Sequence, residues 1–185
     1  MVLTTGGPTG VRLFRPGTKV VLGLAVVFVA VRVDGFDVLL NPVGWAVCAS
    51  SLARLGSAGD LFSRAAAFAL GMVCLSTVAL YASGVRASLG AGASPVIQLI
   101  GLAENVASLV GLWLVAEAVV RRLRLADRPA AALDVLRWAL AGLGVLDLLD
   151  DFGHVEPGPV VPVAWGAGFL ALLVMLHRTI DRPYA

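Results

Sequence analysis

Apolar residues along the chain gather into six runs separated by short polar or glycine-rich breaks. The fourth run, residues 95–120 (PVIQLIGLAENVASLVGLWLVAEAVV), is the centre of the pattern. At 1.5 Å per residue its length predicts a helix of roughly 39 Å, more than a hydrocarbon core of about 30 Å requires. It nevertheless carries Gln98, Glu104, Asn105 and Ser108. At about 100° per residue these four share, with Gly101, an arc of roughly 120°, so one face is polar. Ala103, Ala107 and Gly111 lie beside that face at four-residue spacing, a stripe that lets a neighbouring helix approach closely. An unpaired ionised carboxylate cannot remain against lipid. The polar face is therefore expected to point into a bundle, with Ile100, Leu102 and Leu109 outward.

The other runs are read the same way. Residues 20–31 follow Lys19 and match a signal-peptide core in length, but Arg32, Asp34 and Asp37 follow where a small-residue cleavage site would stand, so the run reads as an uncleaved span. Gly35 and the Asn41-Pro42 pair mark a turn and a helix start, and the second span is placed at 38–55, with Pro42 tolerated in the first turn. The third, 61–83, is long enough without help, and Arg64 in its first turn can reach the headgroups. A glycine-rich connector is expected over 84–94. The fifth span, 133–149, holds only a short uninterrupted apolar stretch and crosses with Arg137 and Asp147 reaching outward at its ends. The sixth covers 161–176.

The fold class that follows is all-α, a polytopic helical membrane bundle. It has six transmembrane helices, or five if residues 20–55 form a re-entrant hairpin or the fifth is half-inserted. Residues 18–178 form the single membrane domain; 1–17 are a disordered tail and 179–185 a second tail.

Composition agrees. The chain of 185 residues is 59% hydrophobic and 14% charged, with a mean hydropathy of +0.92. A soluble domain is about a quarter charged, so lipid is the solvent this chain is built for. Cys48 and Cys74 both fall in apolar runs and read as small hydrophobes. Thirteen arginines against one lysine, with Ala, Gly, Val and Leu dominant, is the usage of a GC-rich genome and points to a bacterial plasma membrane.

Charge then orients the bundle. With six crossings, twelve of the fourteen basic residues fall on the side of the N-terminus, and only Arg32 and Arg86 on the other. The positive-inside rule makes that side, with both termini, cytoplasmic. Asp34, Asp37, Asp147, Asp150, Asp151 and Glu156 fall outside. Trp45, Trp138 and Trp165 stand near span ends, as interfacial anchors do. The turn from Asp37 to Trp45, with Gly44 before the aromatic, is similar to one in uncharacterised small multi-pass bacterial integral membrane proteins, which read D-x-L-P-D-x-x-G followed by Tyr or Trp. Here Asn41 and Pro42 replace the Pro-Asp order. The resemblance covers about a tenth of the chain and implies a membrane location and no activity.

No phosphate loop, zinc-protease helix, nucleophile elbow or nucleic-acid module is present in the sequence. Nucleic-acid partners and cofactors are therefore not expected. Three groups of residues remain. Gln98, Glu104, Asn105 and Ser108 form an intramembrane polar site, either a protonatable group facing a cavity or a hydrogen-bonded helix contact to neighbours such as Ser76 and Thr77. Asp147, Asp151 and His154, at spacings of four and three, could align on one helix face around a divalent cation, but Gly153 should end the helix first. Arg121, Arg122, Arg124 and Arg128 form the densest basic cluster and suit lipid headgroups. Glu117, four residues before Arg121, is set for a helical ion pair.

These features favour a non-enzymatic structural or interaction protein in the bilayer, with a homo-oligomer or a membrane protein as partner. A small ion-coupled transporter or channel using Glu104 is the alternative, and a metal-dependent enzyme at the outer face comes third.

Overall fold

The computed structural model describes residues 15–28, 32–33, 36–37, 41–57, 60–89, 95–151 and 158–180. Among them the chain forms six α-helices and one short ribbon: α1 (Pro16–Phe28), β1 (Arg32–Val33), β2 (Phe36–Asp37), α2 (Asn41–Leu55), α3 (Leu61–Leu89), α4 (Pro95–Leu125), α5 (Ala131–Asp151) and α6 (Val160–Ile180). The ribbon is antiparallel, with Arg32 opposite Asp37 and Val33 opposite Phe36. Each helix packs against the next in sequence, and α6 returns to α1, so the bundle closes on itself. Of the expected tails, 1–17 and 179–185, residues 1–14 and 181–185 lie outside the described residues, while Pro16 and Gly17 belong to α1 and Thr179 and Ile180 to α6.

The six apolar runs therefore became six helices. Three of these, Leu61–Ala82 within α3, the whole of α4 and the whole of α6, are long and apolar enough to cross a membrane. The others fall short for different reasons. The 13 residues of α1 and 15 of α2 give only about 20 and 22 Å at the helical rise. α5 is 21 residues long but carries Asp134, Arg137 and Asp147 along its length. α3 continues as helix to Leu89, through the start of the expected connector, because a single Gly84 among Ala, Ser and Val costs a helix only about 1 kcal/mol.

Lipid offers helices no hydrophobic gain for leaving it, so association depends on close fit. The α1–α2 pair shows how this sequence achieves that. A Cβ on Gly23 would stand 2.6 Å from Cys48 Sγ and 2.7 Å from the Gly44 carbonyl oxygen, and one on Gly44 would stand 2.7 Å from the Gly23 carbonyl oxygen. Two glycines facing each other bring the backbones together. Gly111 of the small-residue stripe does the same for α4: its Cβ would stand 2.5 Å from the Trp45 ring and 3.1 Å from Phe68. Trp45 is fully buried as a result and is not an interfacial anchor. Trp165 also turns inward, stacked on Phe169 at 5.3 Å and touching Phe28 of α1, whereas Trp138 stays 60% exposed. The outside of the bundle is apolar, with Leu70, Val78, Leu99, Val106, Val145, Leu170 and Val174 all exposed.

Two turns fix one end of the bundle. Asp60 caps α3, its carboxylate accepting from the backbone N–H groups of Ser57 and Ser63 at 2.9 Å each. The end of α4 is a Schellman turn, with Asp127 left-handed (φ 50°), Arg128 N–H donating to the Leu123 carbonyl at 2.9 Å, and Pro129 following. That turn folds the start of α5 back onto the last turns of α4.

Candidate functional site

The polar face of α4 divides between three environments. Glu104 is half-buried and its Oε1 accepts a hydrogen bond from Asn41 Nδ2 at 3.2 Å. Asn41, itself buried, opens α2, so this bond ties the second helix to the fourth. Ser108 is buried. Gln98 and Asn105 are exposed, contrary to a face turned wholly inward. The outward residues are Val96, Leu99, Val106 and Val110, while Leu109 reaches α5, where a Cβ on Gly144 would stand 2.6 Å from it. The arc is rotated because Gly111 and Gly144 give the closest approaches, and those contacts set the rotation of α4.

Asn105 and Ser108 do share a cavity. It measures about 160 Å³ and lies between α4, α5, α6 and the end of α1, with Asp147, Phe28 and Trp165 also on its wall. Glu104 is not part of that lining. The bond from Asn41 was not anticipated: Ser76 and Thr77 of α3 stood as partners, but Thr77 donates to its own helix at Val73 O, 2.7 Å away. Asn41 carried a signal nonetheless, as an amide beside Pro42 at the mouth of an apolar helix.

Of the metal candidates, Asp147 is an exposed residue of α5. The Asp151 side chain and His154 lie outside the described residues. Among the described residues no group of three or more His, Cys, Asp or Glu converges as metal ligands.

The opposite end of the bundle holds a larger polar construction. Glu117 of α4 accepts from Arg121 Nε at 2.7 Å, the i,i+4 pair that the spacing predicts. Its other oxygen meets Arg137 Nη1 of α5. Arg137 continues to Asp134 at 2.6 Å, and Asp134 to Arg124 at 2.7 Å. The Arg137 guanidinium lies 5.1 Å from the Trp113 ring centre and 5.6 Å from that of Trp138. Arg137 was expected to reach outward from its helix end; it is instead 8% exposed. A carboxylate and two indole faces on the neighbouring turns offer the cation more than the headgroup region does.

Beside this chain is a cavity of about 590 Å³ between the α2–α3 turn and the last turns of α4, bordered by Asp60, Phe62, Arg64, Arg121, Arg122 and Leu125. The four arginines expected to serve headgroups are thereby separated. Arg121 and Arg122 border the cavity, Arg124 is held by Asp134, and Arg128 borders a small cleft with Thr179 and Ile180 of α6. No family model matches the chain, and neither a curated protein nor a solved structure does.

Proposed function

We propose that the chain is a non-enzymatic, multi-pass protein of the bacterial plasma membrane that acts by binding another membrane component, with both termini cytoplasmic. One observation carries this reading: the carboxylates of Glu104 and Glu117 and the charged side chains around Glu117 are engaged by groups on neighbouring helices. Asn41 serves Glu104, and Glu117, Arg121, Arg137, Asp134 and Arg124 serve each other. Such pairing stabilises an assembly of helices. The orientation is supported by Arg64, Arg121, Arg122, Arg124 and Arg128, which gather at one pole of the bundle, with Arg54 in the last turn of α2 and Arg178 in that of α6. The turn resemblance at 37–45 points to the same class of membrane protein.

A small ion-coupled transporter is the second reading, and the cavity bordered by Asn105, Ser108 and Asp147 is what favours it. Proteoliposomes separate the two. The binding reading expects no proton or alkali-cation flux above protein-free vesicles. Flux that is lost in a folded Glu104→Gln variant would overturn it in favour of transport. Release of the chain from membranes by alkaline carbonate would overturn both.

A further inference from the structure

We infer that the cavity between the α2–α3 turn and the end of α4 binds the phosphodiester headgroup of an anionic phospholipid. This rests on the membrane reading above and names a ligand and a site within it. The volume of about 590 Å³ falls within the range of small-molecule sites, about 300–1,000 Å³. Three arginines, Arg64, Arg121 and Arg122, and a single acidic residue, Asp60, line it. The Asp60 carboxylate is already engaged by the Ser57 and Ser63 N–H groups, which also hold it well below the usual carboxylate range, so it stays a turn-forming anion.

The guanidinium groups of Arg64 and Arg121 are exposed. Arg121 uses Nε for Glu117 while its side chain is 64% exposed, which leaves its outer edge to the cavity. Arg122, also on the wall, has its guanidinium carbon 5.4 Å from the Phe62 ring centre, a cation–π contact that anchors the side chain beside the cavity. Arg64 is exposed in the first turn of α3 and forms no ion pair among the described residues. Planar forks of this kind match phosphate oxygens two at a time.

The cavity also has apolar walls, and these distinguish a lipid from a free phosphate. Leu55, Leu61 and Phe62 border it, and Leu125, at 90% exposure, stands at its edge within the arginine cluster. A leucine so placed is poorly suited to water and well suited to the glycerol and first methylenes of a lipid. The site lies at the start of α3 and the end of α4, both long and apolar enough to span, and helix ends of such spans are where headgroups are expected.

Native mass spectrometry on full-length protein released from nanodiscs of mixed phosphatidylglycerol and phosphatidylcholine tests this. Wild type should retain a single phosphatidylglycerol in preference to phosphatidylcholine. Arg64→Glu should lower that retention roughly tenfold, since reversing one charge removes attraction and adds repulsion. A glutamate in the first turn of α3 suits the helix dipole, so this variant should fold. Arg178→Glu, exposed on α6 and outside the cavity, should leave retention unchanged. Equal losses in the two variants would mean diffuse surface charge and would overturn the site. Displacement of the lipid by inorganic phosphate alone would overturn the lipid assignment. Carbonate-resistant protein without selective retention would refute the site and spare the membrane reading, whereas carbonate release would remove both.

Discussion

Arg137 of α5 and Glu117 of α4 form an ion pair in which the side chains are 8% and 11% exposed. It joins two helices that the Schellman turn at Asp127 folds against each other, and it is the inner link of a run of five charged side chains. Arg121 closes one end and Asp134 with Arg124 the other. Both residues are buried, with Arg137 against the Trp113 ring, and a lone charge there is costly.

Removing one partner should therefore be worse than removing both. Arg137→Leu leaves Glu117 with Arg121 alone and is expected to cost about 3–5 kcal/mol, as is typical when a buried pair is broken. Adding Glu117→Gln to that variant should recover much of the loss, because the stranded charge is gone. Unfolding in mixed micelles, followed by circular dichroism, reads both. A double variant as unstable as the sum of the singles would show that the two residues do not act as a pair.

Close approach of α1 and α2 gives a steric prediction. Gly44→Ala places a methyl 2.7 Å from the Gly23 carbonyl oxygen, and since backbone cannot rotate away the helices must part. Overpacking of this kind costs roughly 1–3 kcal/mol. Gly101→Ala meets nothing within 4 Å and should be neutral or slightly stabilising. Equal effects at the two positions would show that the Gly23–Gly44 contact does not hold the pair together.

Asp60 makes one end of the bundle sensitive to acid. The backbone N–H groups of Ser57 and Ser63 favour its ionised form and lower its folded pKa below the ordinary carboxylate value of about 3.8. A depressed pKa contributes stability that is present above the ordinary value and lost as pH falls through the folded one. Wild type should therefore melt higher than Asp60→Asn at neutral pH, with the gap closing only at pH below about 4. A gap that is constant from neutral to strongly acid pH would mean that the cap does not depend on charge.

How much of this was legible in the sequence follows from the range of each interaction. The helices themselves were, since each is a local run of apolar residues, and so was the Glu117–Arg121 pair, which needs only i,i+4 spacing. Pro42 could be placed in a first turn because its missing N–H has no partner there. The inward turn of Arg137 was not, because a cation near a helix end reads equally well as snorkelling until the partner helix is known. Nor was the burial of Trp45, which depends on Gly111 lying some sixty residues away on another helix. The cavity at the arginine-rich end needed three separate elements, and only its α4 wall stood out as a cluster.

The bond from Asn41 to Glu104 belongs to that long-range class, spanning 63 residues, and it gives the most direct test of how the polar face of α4 is used. If it is a helix contact, its energy is shared between the two side chains. Glu104→Gln keeps an amide oxygen in place to accept from Asn41 Nδ2 and should change stability little. Glu104→Leu and Asn41→Leu each strand the other group inside the bundle. A double-mutant cycle on these two should return a coupling of about 0.6–2 kcal/mol, the range of interhelical hydrogen bonds in membranes. Steric-trap unfolding in bicelles measures it without leaving the bilayer. Zero coupling, with Glu104→Leu as stable as wild type, would mean that Glu104 does not hold α2 to α4. Its carboxylate would then call for another use, and the transport reading would gain what the binding reading lost.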